Sequence, residues 1–199
     1  MLLYRLLKPL DYLRIYHSQK RKYDFLLPMI IATLTTIALY MLPSSVKITG
    51  NDGLLAIFTG LLQILTGFYI ASLAAVSTFE REGMDQVMLG DPPTLRKSEQ
   101  GRVEIEQLTR RRFLSLMFGY LSLLSFFLYF LGAFADLLDP NLHALIPAVV
   151  FPVFKWCSLF IYLFLSSNLM VATLLGLYYM TEKIHKETGK VISKSDKPK

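Results

Sequence analysis

The side chains of this chain that could do acid–base chemistry are few and poorly placed for it. Glu80, Glu82 and Asp85 form one short acidic group, and Glu104 with Glu106 form another. A carboxylate pair for catalysis must converge on one reacting atom, and a spacing of two residues does not bring Glu104 and Glu106 to one helical face. These groups read as solvated loop charges. The histidines His17, His143 and His185 stand in three separate segments, and the single cysteine, Cys157, lies in an apolar run. One thiol permits neither an internal disulfide nor a cysteine-based zinc site. There is no G-x-x-x-x-G-K-[ST] loop, no H-E-x-x-H and no G-x-S-x-G. The expectation is a protein without catalytic residues, cofactor or metal.

The more patterned chemistry lies inside the apolar stretches. Gly53, Gly60, Gly67 and Ala74 recur every seven residues, which on a helix drifts only about 20° per repeat and leaves one groove of small side chains. Thr59, Gln63 and Thr66 lie beside it. Ser115, Gly119 and Ser122 repeat the theme at helical spacing in a later stretch, and Ser166, Ser167 and Asn168 stand together in the last one. Small residues let another backbone approach, and polar side chains at membrane depth seek protein partners. The expected oligomer interface is therefore Gly53, Gly60, Gly67, Ala74 and Gln63 with Ser115, Gly119 and Ser122. An oligomer could instead turn Thr59, Gln63 and Thr66 toward an axis and form a pore.

The elements that carry these residues follow from composition. Of 199 residues 53% are hydrophobic and only 18% charged, with a mean hydropathy of +0.43. That balance excludes disorder and an ordinary soluble domain, whose surface needs about a quarter of its residues charged. Four stretches, 25–42, 53–79, 113–135 and 156–180, are long enough to cross a hydrocarbon core about 30 Å thick. The fold class expected is an all-α integral membrane protein with four transmembrane helices. Residues 142–155 contain Pro147 and Pro152, so they lie along the interface or belong to a kinked fourth helix. Residues 1–24 form a basic N-terminal segment with Leu2, Leu3, Leu6, Leu7, Leu10 and Leu13 on one helical face and Tyr12 and Tyr16 on the other. That pattern fits an interfacial helix, or simply a charged flank that sets topology.

Nineteen of the 21 lysines and arginines fall in residues 1–24, in the loop 80–112 or in the tail 181–199, leaving Lys47 and Lys155 for the opposite side. By the positive-inside rule both termini are cytoplasmic. The net charge of +6 and the isoelectric point near 9.4 follow from that rule and call for acidic lipid rather than nucleic acid. Within the loop, Gly90-Asp91-Pro92-Pro93 is turn chemistry, and the stretch after it is expected to form a helical cytoplasmic extension running into the third span. Arg96, Lys97, Arg102, Glu106 and Arg110 on this extension are the expected contacts for a cytosolic protein partner.

Size, four spans with both ends inside, and the segment EREGMDQVMLGDPPTLRKSEQGRVEIEQLTRRR between spans two and three resemble the membrane subunit of the Kiwa anti-phage defence system. The resemblance implies a bacterial inner-membrane homo-oligomer, a tetramer, that detects infection and holds a cytosolic DNA-binding partner. Nucleic acid is then met only through that partner. The competing expectation is a pore-forming effector that depolarises the inner membrane.

Overall fold

The computed structural model describes residues 5–17, 20–43, 46–78, 83–87, 92–99 and 102–183. Within apolar surroundings every backbone N–H and C=O must be satisfied inside its own segment, and long uncharged runs meet that demand as helices. The helices are α1 (Leu27–Met41), entered through a π-helical turn at Lys22–Leu26, α2 (Leu54–Thr78), α3 (Arg110–Leu145) and α4 (Phe151–Tyr178). Among the described residues four helical segments are long and apolar enough to cross a membrane: Lys22–Met41, Leu54–Thr78, Arg110–Asn141 and Phe151–Thr181.

Helix ends differ from the sequence expectation where proline was read as an interruption. Pro152 sits in the first turn of α4, where its missing N–H would have had no partner in any case. So α4 begins at Phe151, not Trp156. At the other side α3 runs through Pro140 to Leu145, and a turn in which Val150 and Phe151 donate to the Pro147 carbonyl joins the two helices. Residues 142–155 are thus the end of α3, a turn and the start of α4. The extension of α3 beyond 135 has a use: Asp136 Oδ1 accepts from the Gly50 N–H at 2.6 Å, and Asp139 Oδ2 from Thr49 Oγ at 3.0 Å. These carboxylates hold the connection between α1 and α2.

Helix α2 lies along α3, α1 along α4, and α3 meets α4. Phe58 against Tyr162, with rings perpendicular at 5.8 Å, and Tyr69 Oη to Thr173 Oγ1 at 2.6 Å join α2 to α4 as well. Helix α4 is therefore central. In its most apolar 18-residue window 56% of residues are buried, against 11%, 17% and 28% in the other three segments. Ser166, Asn168 and Thr173 tolerate their place in it because they lie on its buried faces, while Ile161 and Leu174 face outward from the same helix.

Before α3 the chain forms a sheet, not a helix. β1 (Ile15–Tyr16), β2 (Thr94–Glu99) and β3 (Arg102–Gln107) pair antiparallel in the order β1-β2-β3. The expected helical extension over 94–109 is corrected accordingly. Its i,i+4 ion pairs were one reading of RVEIEQ; the strict alternation of β-branched and charged residues, after a connection containing Gly101, is the pattern that folds. The N-terminal segment also departs from an amphipathic α-helix. Pro9 opens a tighter 3-10 helix at Lys8–Arg14 that buries Tyr12 and leaves Leu6, Leu7 and Leu13 exposed. Leu2 and Leu3 lie outside the described residues.

Candidate functional site

The sheet-bearing end of the bundle is assembled by three consecutive arginines at the start of α3. Arg110 Nη1 donates to the Gly83 carbonyl at 3.4 Å. Arg111 grips Asp85 through two parallel bonds, Nε to Oδ1 at 2.7 Å and Nη2 to Oδ2 at 3.1 Å. Its Nη1 also reaches the carbonyls of Val76 and Ser77 at 3.1 and 3.4 Å, which are among the last of α2 and have no partner further along the helix. Arg112 Nη1 meets Glu106 Oε1 at 3.3 Å. One turn of α3 thereby fixes the loop after α2, the end of α2 and strand β3. The planar guanidinium fork suits such bidentate contacts. Hydrogen bonding from Arg111 holds the Asp85 carboxyl below its usual range.

A second cluster ties the N-terminal segment to the bundle. Tyr12 stacks on Tyr120 at 5.0 Å and donates to Asp24 Oδ1 at 3.2 Å. Lys20 pairs with Asp24 Oδ2, and its ammonium lies 4.2 Å from the centre of the Tyr12 ring. Lys20 and Asp24 side chains are each 11% exposed; a pair so withdrawn from water persists when further polar contacts complete it, as the Tyr12 hydroxyl does here. Asn168 Nδ2 donates to the Asp24 carbonyl at 2.6 Å while its Oδ1 accepts from Tyr120 Oη at 2.7 Å. Burial first, then the Asp24 charge, pushes the Tyr12 phenol well above its usual value. Sequence reading missed Asp24, because a first span drawn from Phe25 leaves it outside. The signal was available: Lys20 and Asp24 are one helical turn apart.

The expected interface residues divide into two groups. Gly60, Gly67 and Ala74 lie exposed on one side of α2, and a Cβ built on either glycine meets nothing within 4 Å. Gln63 beside them donates to Tyr129 Oη at 3.2 Å. The others are occupied within the chain. Gly53 lies in the turn before α2, where a Cβ would come within 2.7 Å of the Ile48 and Thr49 backbone. Gly119 faces Pro9, and Ser122 is buried, donating to the Phe118 carbonyl at 2.9 Å. Ser115 is half-buried on the same helix. A glycine the sequence reading passed over, Gly132, admits Thr59 Oγ1 and Tyr162 Oη to within 3.3 and 3.1 Å of its would-be Cβ. It is the small residue at which α2, α3 and α4 converge.

The expected partner contacts divide similarly. Strand register places Arg96 opposite Ile105 and Leu95 opposite Glu106. Leu95 and Ile15 are buried toward the bundle, whereas Arg96 and Ile105 are exposed, Ile105 at 65%. Glu106 turns inward to Arg112, and Arg110 is only 8% exposed, so neither is a free docking side chain. The side chains of Lys97 and Arg102 lie outside the described ones, as do Glu80 and Glu82 altogether. Asp85 is engaged by Arg111. Among the described residues no group of three His, Cys, Asp or Glu side chains is placed to hold a metal ion. Comparison with protein-family models, curated proteins and solved structures finds no match.

Proposed function

We propose that this chain is an oligomeric multi-pass subunit of the bacterial inner membrane, both termini cytoplasmic, that holds a cytosolic protein partner on its β-sheet. Any nucleic acid is met through that partner. The defence role rests on the resemblance to the Kiwa membrane subunit. The observation that carries the docking reading is the outer face of β2 and β3, where Ile105 stands exposed beside Arg96 on a sheet pinned to α3 by Arg112 and Glu106. An isolated two-stranded hairpin is marginal; here β2 and β3 are tied to α3 by Arg112 and Glu106 and extended by the two residues of β1. Arg14, Arg96 and Arg110 to Arg112 stand at this end, while Lys155 lines a groove with Thr49 and Asp139 at the other, in keeping with the positive-inside rule.

Self-assembly is assigned to the Gly60, Gly67 and Ala74 face of α2, since nothing in the chain's own packing requires glycine there. The pore alternative draws less support. Thr59 and Thr66 donate to the Leu55 and Leu62 carbonyls of their own helix, and Thr66 Oγ1 also lies 2.9 Å from Ser125 Oγ. Co-purification in mild detergent tests the proposal. The wild type is expected to retain a stoichiometric soluble protein that Ile105→Asp loses; equal recovery from both would overturn it.

A further inference from the structure

The N-terminal segment lies alongside the bundle rather than beyond its end. Pro9 comes within 3.7 Å of a Cβ built on Gly119, and Tyr12 stacks on Tyr120. Gly119 stands nine positions after Arg110, the first residue of α3, or about 14 Å along the axis at roughly 1.5 Å per residue. That depth falls inside the stretch of α3 long and apolar enough to cross a membrane. Tyr12 and Ile15 are buried toward the bundle, whereas Leu6, Leu7 and Leu13 point away from it, Leu6 at 61% exposure. Apolar side chains turned outward beside a spanning helix meet acyl chains. Cations accompany them. Arg5, Lys8, Arg21 and Lys22 are exposed, and among the described residues none of the four meets a carboxylate: Asp11 is taken by Arg14 and Asp24 by Lys20. The bond from Tyr12 to Asp24 folds the segment back onto the start of α1, so both pairs of cations flank one anchored stretch of chain.

We propose that residues 5–17, with Arg21 and Lys22, form a site for anionic phospholipid, Leu6, Leu7 and Leu13 entering the acyl region and the four cations holding headgroup phosphates. Leucines alone would accept any lipid; the unmatched positive charge makes the selection. Each lysine or arginine near a membrane surface favours negatively charged lipid. A zwitterionic headgroup brings an ammonium of its own and leaves that charge unanswered. An acidic protein face would answer it too, but the place of the segment beside α3, and not past its end, puts lipid there first. The assignment rests on the multi-pass membrane reading and is independent of the partner on the sheet.

Tryptophan quenching in liposomes tests it. The full-length chain carrying Leu7→Trp and Trp156→Phe is reconstituted in phosphatidylcholine with a minor share of phosphatidylglycerol, the quenching bromines being placed on the acyl chains of one lipid or the other. Quenching at position 7 is expected to report phosphatidylglycerol enriched about fivefold over its bulk share, the scale of one cation at a charged surface. Joint replacement Arg5→Gln, Lys8→Gln, Arg21→Gln and Lys22→Gln should return it to the bulk share, as should high salt; if that variant does not fold, the salt series decides. Trp156 of the unaltered chain serves as the control for insertion. Bulk proportions at position 7 would overturn the headgroup assignment. Quenching of Trp156 with none at position 7 would overturn the lipid site and leave a protein-facing surface. Quenching at neither position would overturn the membrane reading, and the site with it.

Discussion

Asn168, in the middle of α4, donates its amide to the backbone carbonyl of Asp24 at 2.6 Å across 144 positions of sequence. The same side chain accepts from Tyr120, so one residue joins the entry to the first helix, the third helix and the fourth. It is 5% exposed, and its bonds have little competition from water. Such a bond is worth most where its loss leaves both partners buried and unpaired.

Replacing Asn168 by leucine should therefore destabilise the bundle by about 1–3 kcal/mol, read as a lower thermal midpoint in detergent. Ser167→Ala, at a half-buried neighbour, should change it little. An unchanged midpoint for Asn168→Leu would mean that the network contributes nothing.

Gly60→Leu and Gly67→Leu should separate assembly from folding. With nothing within 4 Å of either built Cβ, the single chain keeps its unfolding midpoint. A bulky side chain on the exposed stripe holds a second helix away, so the oligomer should shrink in light scattering. Gly132→Leu should do the reverse, since it strikes Thr59 and Tyr162 inside the chain.

The Arg111 and Asp85 contact predicts a pH window. Because the Asp85 carboxyl is held below the ordinary range near 3.9, its contribution is present above that value and is lost as pH falls through the lower, folded one. Amide exchange at residues 83–87 should stay protected at pH 4 and rise only in stronger acid. Asp85→Asn should weaken protection at neutral pH and remove the acid step.

At the alkaline end Tyr12 behaves in the opposite sense. Its phenol titrates above the usual value near 10, so the contribution of the neutral form is complete below that value and is lost as pH rises through the folded one. Proteolysis of the N-terminal segment should accelerate only in strong alkali. Tyr12→Phe should release the segment at neutral pH, because Asp24 then loses one of its hydrogen-bond donors.

How far the residues announced this structure can be read from particular elements. Residues 54–78 carry no charge, and an uncharged run of that length has no stable form but a helix. Pro152 misled because a proline breaks a helix interior yet starts one well, and only the position of the turn at 146–150 decides between them. The hairpin was hidden because Arg102, Glu106 and Arg110 fit i,i+4 spacing as well as RVEIEQ fits alternation; pairing with β1, about 80 residues earlier, tips the balance. That choice reverses faces, sending Glu106 inward and Ile105 outward. Among the glycines, a seven-residue period marked a common helical stripe, but Gly53 precedes the helix and serves a turn instead. Asp24 was legible from Lys20 one turn before it, whereas its bonds to Tyr12 and Asn168, from two other segments, were not.

The central claim is that the sheet carries a cytosolic partner, and site-specific photo-crosslinking in living bacteria tests it most directly. A photoreactive amino acid at Ile105 should capture one soluble protein at a single defined mass, the same placed at buried Leu95 should capture none, and at Val153, exposed at the far end, only lipid. No soluble adduct from position 105, or the same adduct from all three positions, would contradict the account.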